Sequence, residues 1–390
     1  MPFSGVDYFA LDELLTDDER MVRDTFRRFV DEQVMPTIGR HFRDGTFPKD
    51  LPKKLGALGA LGASLEGYGC AGLGANAYGL IMQELERGDS GIRSFASVQG
   101  SLVMYPIHAY GSDAQKDRWL PRMAKGEAIG CFGLTEPDFG SNPSGMRCSA
   151  KKVGDRWVLN GEKRWITSGG LSDVAIVWAR TDDAERSVRG FLVDRGTPGF
   201  SVRDIEGKFS LRASVTSELI LEDCAIPLDA VLPGVSGLKG PLSCLNQARF
   251  GISWGAIGAA LACYDEALRY TKDRVQFSKP LAGYQLVQLK LVDMLEEITK
   301  AQLLAWRLGR LKETHKLRPQ QVSMAKRNNV RMALEIARNA RDLLGANGIT
   351  DEYQSGRHMC NLESVFTYEG TDHIHTLIIG QDITGLAAFE

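Results

Sequence analysis

Apolar residues recur every three or four positions through the first third of the chain. After Thr16-Asp-Asp-Glu19, a pattern that satisfies the free amides at a helix start, Val22, Phe26, Phe29, Val30 and Val34 share one helical face as far as Pro36. Similar spacing predicts helices over 76–87, 97–110 and 114–125, and no strand-like alternation precedes residue 130. The period then changes. Short β-rich runs at 156–159, 163–166, 175–178, 190–193 and 218–221, separated by turn residues, predict a compact antiparallel β-domain. Between the first two runs, Asn160-Gly161 predicts a type I′ hairpin, because that pair tolerates two positive φ angles. From Gly240 onward, apolar stripes return in long segments near 245–274, 286–314 and 319–345, the pattern of a helix bundle. The expected architecture is α+β multidomain, with an N-terminal α-helical domain over 1–129, a middle antiparallel β-domain over 130–238 and a C-terminal four-helix-bundle-like α domain over 239–390.

A chain of 390 residues exceeds the usual single-domain size, which agrees with several domains. Its hydrophobic and charged fractions, 43% and 25%, exclude general disorder, and a net charge of −2 offers no electrostatic footprint for nucleic acid or an anionic membrane. The glycine-rich apolar stretch at 56–80 is interrupted by glutamate and does not read as a membrane span. Seven scattered cysteines, with no C-x-x-C pair and no histidine cluster, point to a reducing compartment and to no metal site. The first residues have neither the basic-then-apolar order of a secretory signal nor an arginine-rich transit pattern, so a cytoplasmic protein, or a trimmed mature form, is expected. No G-x-G-x-x-G lies between a strand and a helix, and Gly345-Ala-Asn-Gly348 closes a helix instead of opening one, which argues against nicotinamide.

Candidate chemistry gathers near the end of the chain. In 366–371, FTYEGT, Glu369 is an isolated carboxylate followed by Gly370, which has no side chain to obstruct a ligand. Such a group suits a general base, its pKa raised by apolar surroundings; taken alone it is equally a glutamate beside a glycine turn. Arg93 interrupts the small and apolar run 90–97, where a cation must be solvated or paired.

FTYEGT, together with CFGLTEPDFGS at 131–141, KRWITS at 163–168, CLNQARFG at 244–251, RVQF at 274–277 and LGANGI at 344–349, resembles the acyl-CoA dehydrogenase family in order and spacing. Within it the chain looks most like the glutaryl-CoA dehydrogenase branch. The resemblance implies FAD as cofactor, an acyl-CoA substrate, a homotetramer, and electron-transferring flavoprotein as electron acceptor. It makes Glu369 the base that removes the α-proton, with Gly370 beside the substrate. It places Phe132, Leu134, Thr135, Trp165, Ile166 and Thr167 around the isoalloxazine ring. Arg274, Phe277, Gln285, Asp342, Leu344, Gly345, Ala346 and Gly348 would meet the FAD diphosphate and adenine across a subunit boundary, and Thr371 would touch it within one subunit. Ser141 and Arg249 match positions contacting the substrate's CoA part, Ser141 also lying by the cofactor. Arg93, assisted by Ser94, would bind the distal carboxylate of glutaryl-CoA, while Tyr368 and Glu86 resemble the decarboxylating enzymes. The expected reaction is oxidative decarboxylation of glutaryl-CoA to crotonyl-CoA and carbon dioxide. The alternatives are a non-decarboxylating glutaryl-CoA enzyme, another short-chain acyl-CoA dehydrogenase or oxidase, and a non-catalytic FAD-binding homologue.

Overall fold

The computed structural model describes residues 6–182 and 187–389. Helix α1 (Asp17–Phe29) starts at the expected capping box, with Thr16 Oγ1 accepting from the Glu19 amide at 3.2 Å and Glu19 Oε2 accepting from the Thr16 amide at 2.9 Å. Pro36 does not end the helix. A π turn at Val30–Val34 leads directly into α2 (Met35–Asp44), so the proline occupies a first turn, where its missing N–H is not needed. After α3 (Leu51–Ala57) come α4 (Ala75–Gly88) and α5 (Ser90–Ser97), the latter running through a second π turn into α6 (Tyr105–Tyr110), then α7 (Asp113–Ala124). Helices α4 and α5 are buried on nearly every face, so they form the inner layer of the helical region.

The middle of the chain is a seven-stranded sheet: β1 (Gly130–Gly133), β2 (Ser149–Val153), β3 (Arg156–Thr167), β4 (Val174–Thr181), β5 (Val188–Asp194), β6 (Phe200–Asp204) and β7 (Thr216–Pro227). Their spatial order is β1-β4-β2-β3-β7-β6, with β5 beside β4. Most pairs are antiparallel, while β1 and β2 each join β4 in parallel. The Asn160-Gly161 hairpin is not formed. Those residues lie within the continuous strand β3, where the register against β7 shifts between Leu159 and Gly161. The local turn signal loses to nine residue pairs with β7, and Asn160 accepts from the Asp223 amide at 2.8 Å and donates to Asp223 Oδ1 at 3.1 Å across the bulge. The hairpin instead joins β2 to β3 through Gly154, which has φ 58°.

Helix α8 (Lys239–Asp273) then crosses α4. A Cβ on Gly258 would lie 1.8 Å from the Gln83 carbonyl oxygen, so only glycine permits this approach. A short ribbon, β8 (Val275–Gln276) and β9 (Lys279–Pro280), leads to α9 (Gln285–Glu313), α10 (Pro319–Leu343), α11 (Ser355–Thr367) and α12 (Asp372–Thr384). One apolar core runs through both helical regions and one face of the sheet, and a second fills the sheet's other face. All seven cysteines are free. Among the described residues no helix is long and apolar enough to cross a membrane, and no side-chain cluster could hold a metal ion.

Candidate active site

The turn between α11 and α12 carries Tyr368, Glu369 and Gly370. Glu369 has φ 52°, a left-handed conformation that few side chains adopt, followed by Gly370 at φ 90°. The carbonyls of this turn point at buried cations. Arg249 Nε, from α8, donates to the Glu369 carbonyl at 2.7 Å; Lys326 Nζ, from α10, donates to the Tyr368 and Gly370 carbonyls at 3.0 and 2.8 Å. Among the described residues the Glu369 amide makes no hydrogen bond, and its Oε2, sealed from solvent, has no partner. Burial raises the Glu369 carboxyl pKa, and Arg93, Arg249 and Lys326 oppose the rise.

Arg93 lies beside this turn. Its Nε donates to Glu86 Oε2 at 2.6 Å, both side chains being 0% exposed, and its Nη2 donates to the Tyr368 hydroxyl. Arg93 Nη1 and Glu86 Oε1 remain buried without partners. Burial disfavours the Arg93 charge, but Glu86, Tyr368 and Glu369 together more than offset it, so the guanidinium stays protonated. Gly255 of α8 makes room for this pair, since a Cβ there would stand 2.0 Å from Glu86 Oε2. Ser94 is buried next to it in α5.

At the sheet, β1 runs on into Thr135, whose carbonyl accepts from the Arg164 amide at 2.8 Å. The register of β3 shifts between Lys163 and Ile166, and within that bulge Trp165 has φ 63° and is 56% exposed. A bulge that turns a large indole outward, with Thr135 in the segment just past β1 and Thr167 at the end of β3, fits a planar ring with polar edges. Lys163 fixes this end by donating to the Leu134 carbonyl at 3.1 Å and to Glu136 Oε1 at 2.8 Å. Phe132, Leu134 and Ile166 are buried, while Ser141 is exposed.

Not every expected residue joins this centre within one chain. Arg274 ends the helix that carries Arg249, and at about 1.5 Å per residue the two are roughly 37 Å apart. Arg274, Phe277, Gln285, Asp342, Gly345 and Ala346 are exposed at that far end, with Leu344 and Gly348 buried beside them. Lys290 pairs with Asp342 at 2.5 Å and Asn347 with the Tyr270 hydroxyl at 3.0 Å, which draws α8, α9 and α10 together there. Thr371 caps α12, its side chain accepting from the Ile374 amide at 3.2 Å.

Sequence reasoning missed Lys326 and His375. Lys326 falls on the buried apolar stripe Val322, Ala325, Val330 and Ala333 of α10, a charge visible as an interruption of helical spacing. His375 is 0% exposed, has no hydrogen-bond partner on either ring nitrogen among the described residues, and is pushed down to about 2 by burial and the neighbouring cations.

Three family models match in order: the acyl-CoA dehydrogenase N-terminal domain over residues 16–127, its middle domain over 131–224 and its C-terminal domain over 236–384. This chain belongs to the acyl-CoA dehydrogenase family. The glutaryl-CoA dehydrogenase of Mycobacterium smegmatis, solved in complex with FADH2, superposes with a TM-score of 0.96 at 56% identity, over 98% of each chain. The butyryl-CoA dehydrogenase of Megasphaera elsdenii gives 0.90 at 33% identity, over 95% of this chain and 98% of that one. The mitochondrial short-chain specific acyl-CoA dehydrogenase of Homo sapiens is 36% identical over 370 residues, 94% of this chain and 90% of that protein. Acyl-CoA dehydrogenases are FAD-dependent flavoprotein oxidoreductases, in keeping with the exposed indole and its threonines.

Proposed function

We propose that this acyl-CoA dehydrogenase oxidises glutaryl-CoA and decarboxylates the product to crotonyl-CoA. One observation carries the reading: Arg93, wholly buried next to the Glu369 turn, keeps a donor unpaired at Nη1. A buried cationic donor without an acceptor is unfavourable unless a ligand completes it, and a carboxylate at the far end of a short acyl chain would do so. The similarity to the Mycobacterium smegmatis enzyme supports the same substrate.

Glu369, whose Oε2 is free, takes the proton α to the thioester. Its unpaired backbone amide donates to the thioester carbonyl, where negative charge develops. FAD is the cofactor, and when bound it accepts the β-hydride and supplies a ribityl hydroxyl. Trp165, Thr135 and Thr167 would hold its ring, and Thr371 would touch it in the same subunit. Arg274, Phe277, Gln285, Asp342, Leu344, Gly345, Ala346 and Gly348 would serve the cofactor of the adjoining subunit in a homotetramer, a reading that their distance from Arg249 supports. Ser141 and Arg249 border the CoA path, Arg249 also holding the base's carbonyl. Arg93 and Ser94 hold the distal carboxylate until it leaves as carbon dioxide, its electron pair passing into the conjugated thioester, and protonated Glu369 returns a proton to the carbon skeleton. Tyr368 and Glu86 set the orientation of Arg93 throughout. Electron-transferring flavoprotein is the proposed acceptor of the electrons.

Anaerobic mixing of purified protein with glutaryl-CoA, following flavin colour and analysing the acyl products, tests this. Crotonyl-CoA is expected. Glutaconyl-CoA would remove the decarboxylation step, and bleaching by butyryl-CoA but not by glutaryl-CoA would remove the substrate and favour a short-chain enzyme.

A further inference from the structure

We infer that Lys326 is a positioning residue for the base: its ammonium ties the two carbonyls that flank Glu369 and so holds that residue in its left-handed backbone. Lys326 is 1% exposed and donates to the Tyr368 and Gly370 oxygens at 3.0 and 2.8 Å, while Arg249 takes the carbonyl between them at 2.7 Å. Three consecutive peptide carbonyls are thus gathered on two cations. A turn with φ values of 52° and 90° does not hold itself in this geometry, and with its oxygens drawn inward the Glu369 amide is left free.

The charged and titratable groups around the turn act on Glu369 or on Lys326: Arg93 of α5 and Arg249 of α8 act on both, Tyr78 of α4 and Tyr368 on Glu369, and Asp372 and His375 of α12 on Lys326. Lys326 itself reaches the peptides on both sides of the base. Burial pushes its ammonium down to about 7, so its charge, and the lowering it exerts on Glu369, is present below that pH and fades above it.

The inference rests on Glu369 being the base, so the experiment includes Glu369→Gln. Stopped-flow bleaching of the flavin, with whichever of glutaryl-CoA and butyryl-CoA the wild type reduces faster, is followed from about pH 5.5 to 9 in wild type, Lys326→Met, Lys326→Arg and Glu369→Gln. Lys326→Met should keep its FAD and a KM within about threefold, lose about 30-fold or more in reduction rate, and move the acid limb upward by about one pH unit, because a cation that favours the ionised base is gone. Lys326→Arg should restore most of the rate. A Lys326→Met enzyme with wild-type rate and profile, or one whose rate falls only in proportion to lost FAD, overturns the inference while leaving the base intact. Bleaching by Glu369→Gln at the wild-type rate overturns the base assignment and the inference with it.

Discussion

Replacing Arg93 by leucine separates the specificity argument from simple destabilisation. The guanidinium and Glu86 are each 0% exposed and joined at 2.6 Å, so Arg93→Leu leaves a carboxylate in an apolar interior with no counter-charge. Breaking a buried pair from one side costs about 3–5 kcal/mol, a large part of the roughly 5–15 kcal/mol that holds a typical domain together. The single variant should therefore melt well below the wild type, and the double variant Arg93→Leu/Glu86→Gln should recover much of that loss because the orphaned charge is gone. Turnover divides differently. A charge-assisted contact from Nη1 to a distal carboxylate is worth about 1.5–3 kcal/mol, so kcat/KM for glutaryl-CoA should fall about 10- to 150-fold beyond any fall for butyryl-CoA, in the single and double variants alike. Chemical denaturation and parallel kinetics on the two substrates measure both halves. Equal losses on the two acyl-CoAs, in a double variant restored to near wild-type stability, would refute the assignment of Arg93 to the substrate's far end.

Gly255→Ala should act on the same pair from the opposite helix: a Cβ 2.0 Å from Glu86 Oε2 overpacks by about 1–3 kcal/mol and pushes Glu86 off Arg93, so glutaryl-CoA turnover should suffer more than butyryl-CoA turnover. Glu369→Gln should abolish flavin bleaching by substrate yet raise thermal stability in a pH-dependent way. Burial lifts the folded-state pKa of Glu369 above its unfolded value, so the wild type holds its full stability below the ordinary glutamate range and loses some as pH rises through the folded pKa. The glutamine cannot ionise. Its melting temperature should exceed the wild type's at about pH 8 and match it at about pH 4, and a constant difference across that range would contradict a raised base pKa.

The parts of this molecule that were legible in its sequence are those decided by local chemistry or by interruption of a period. Thr16 and Glu19 announce the first helix because a capping box is satisfied within four residues, and Arg93 announces itself as a cation where the helical pattern demands apolar side chains. Lys326 gives the same signal in α10 and was overlooked because lysines on bundle helices are ordinarily solvated; its meaning depends on a turn some forty residues further on, whose carbonyls no periodicity reports. Asn160-Gly161 failed for the converse reason: a strong local preference for a tight turn gave way to β7, a partner distant in sequence that binds β3 along its whole length and absorbs the glycine as a bulge. Trp165 lies in the second bulge of that strand, and its exposure follows from the backbone and not from any polarity of the indole. Pairing between distant segments therefore decides both where the sequence misleads and where the site is built. The turn at Glu369 is the sharpest instance, since its left-handed residue is held by side chains from α8 and α10, and its chemistry belongs to their arrangement as much as to the glutamate.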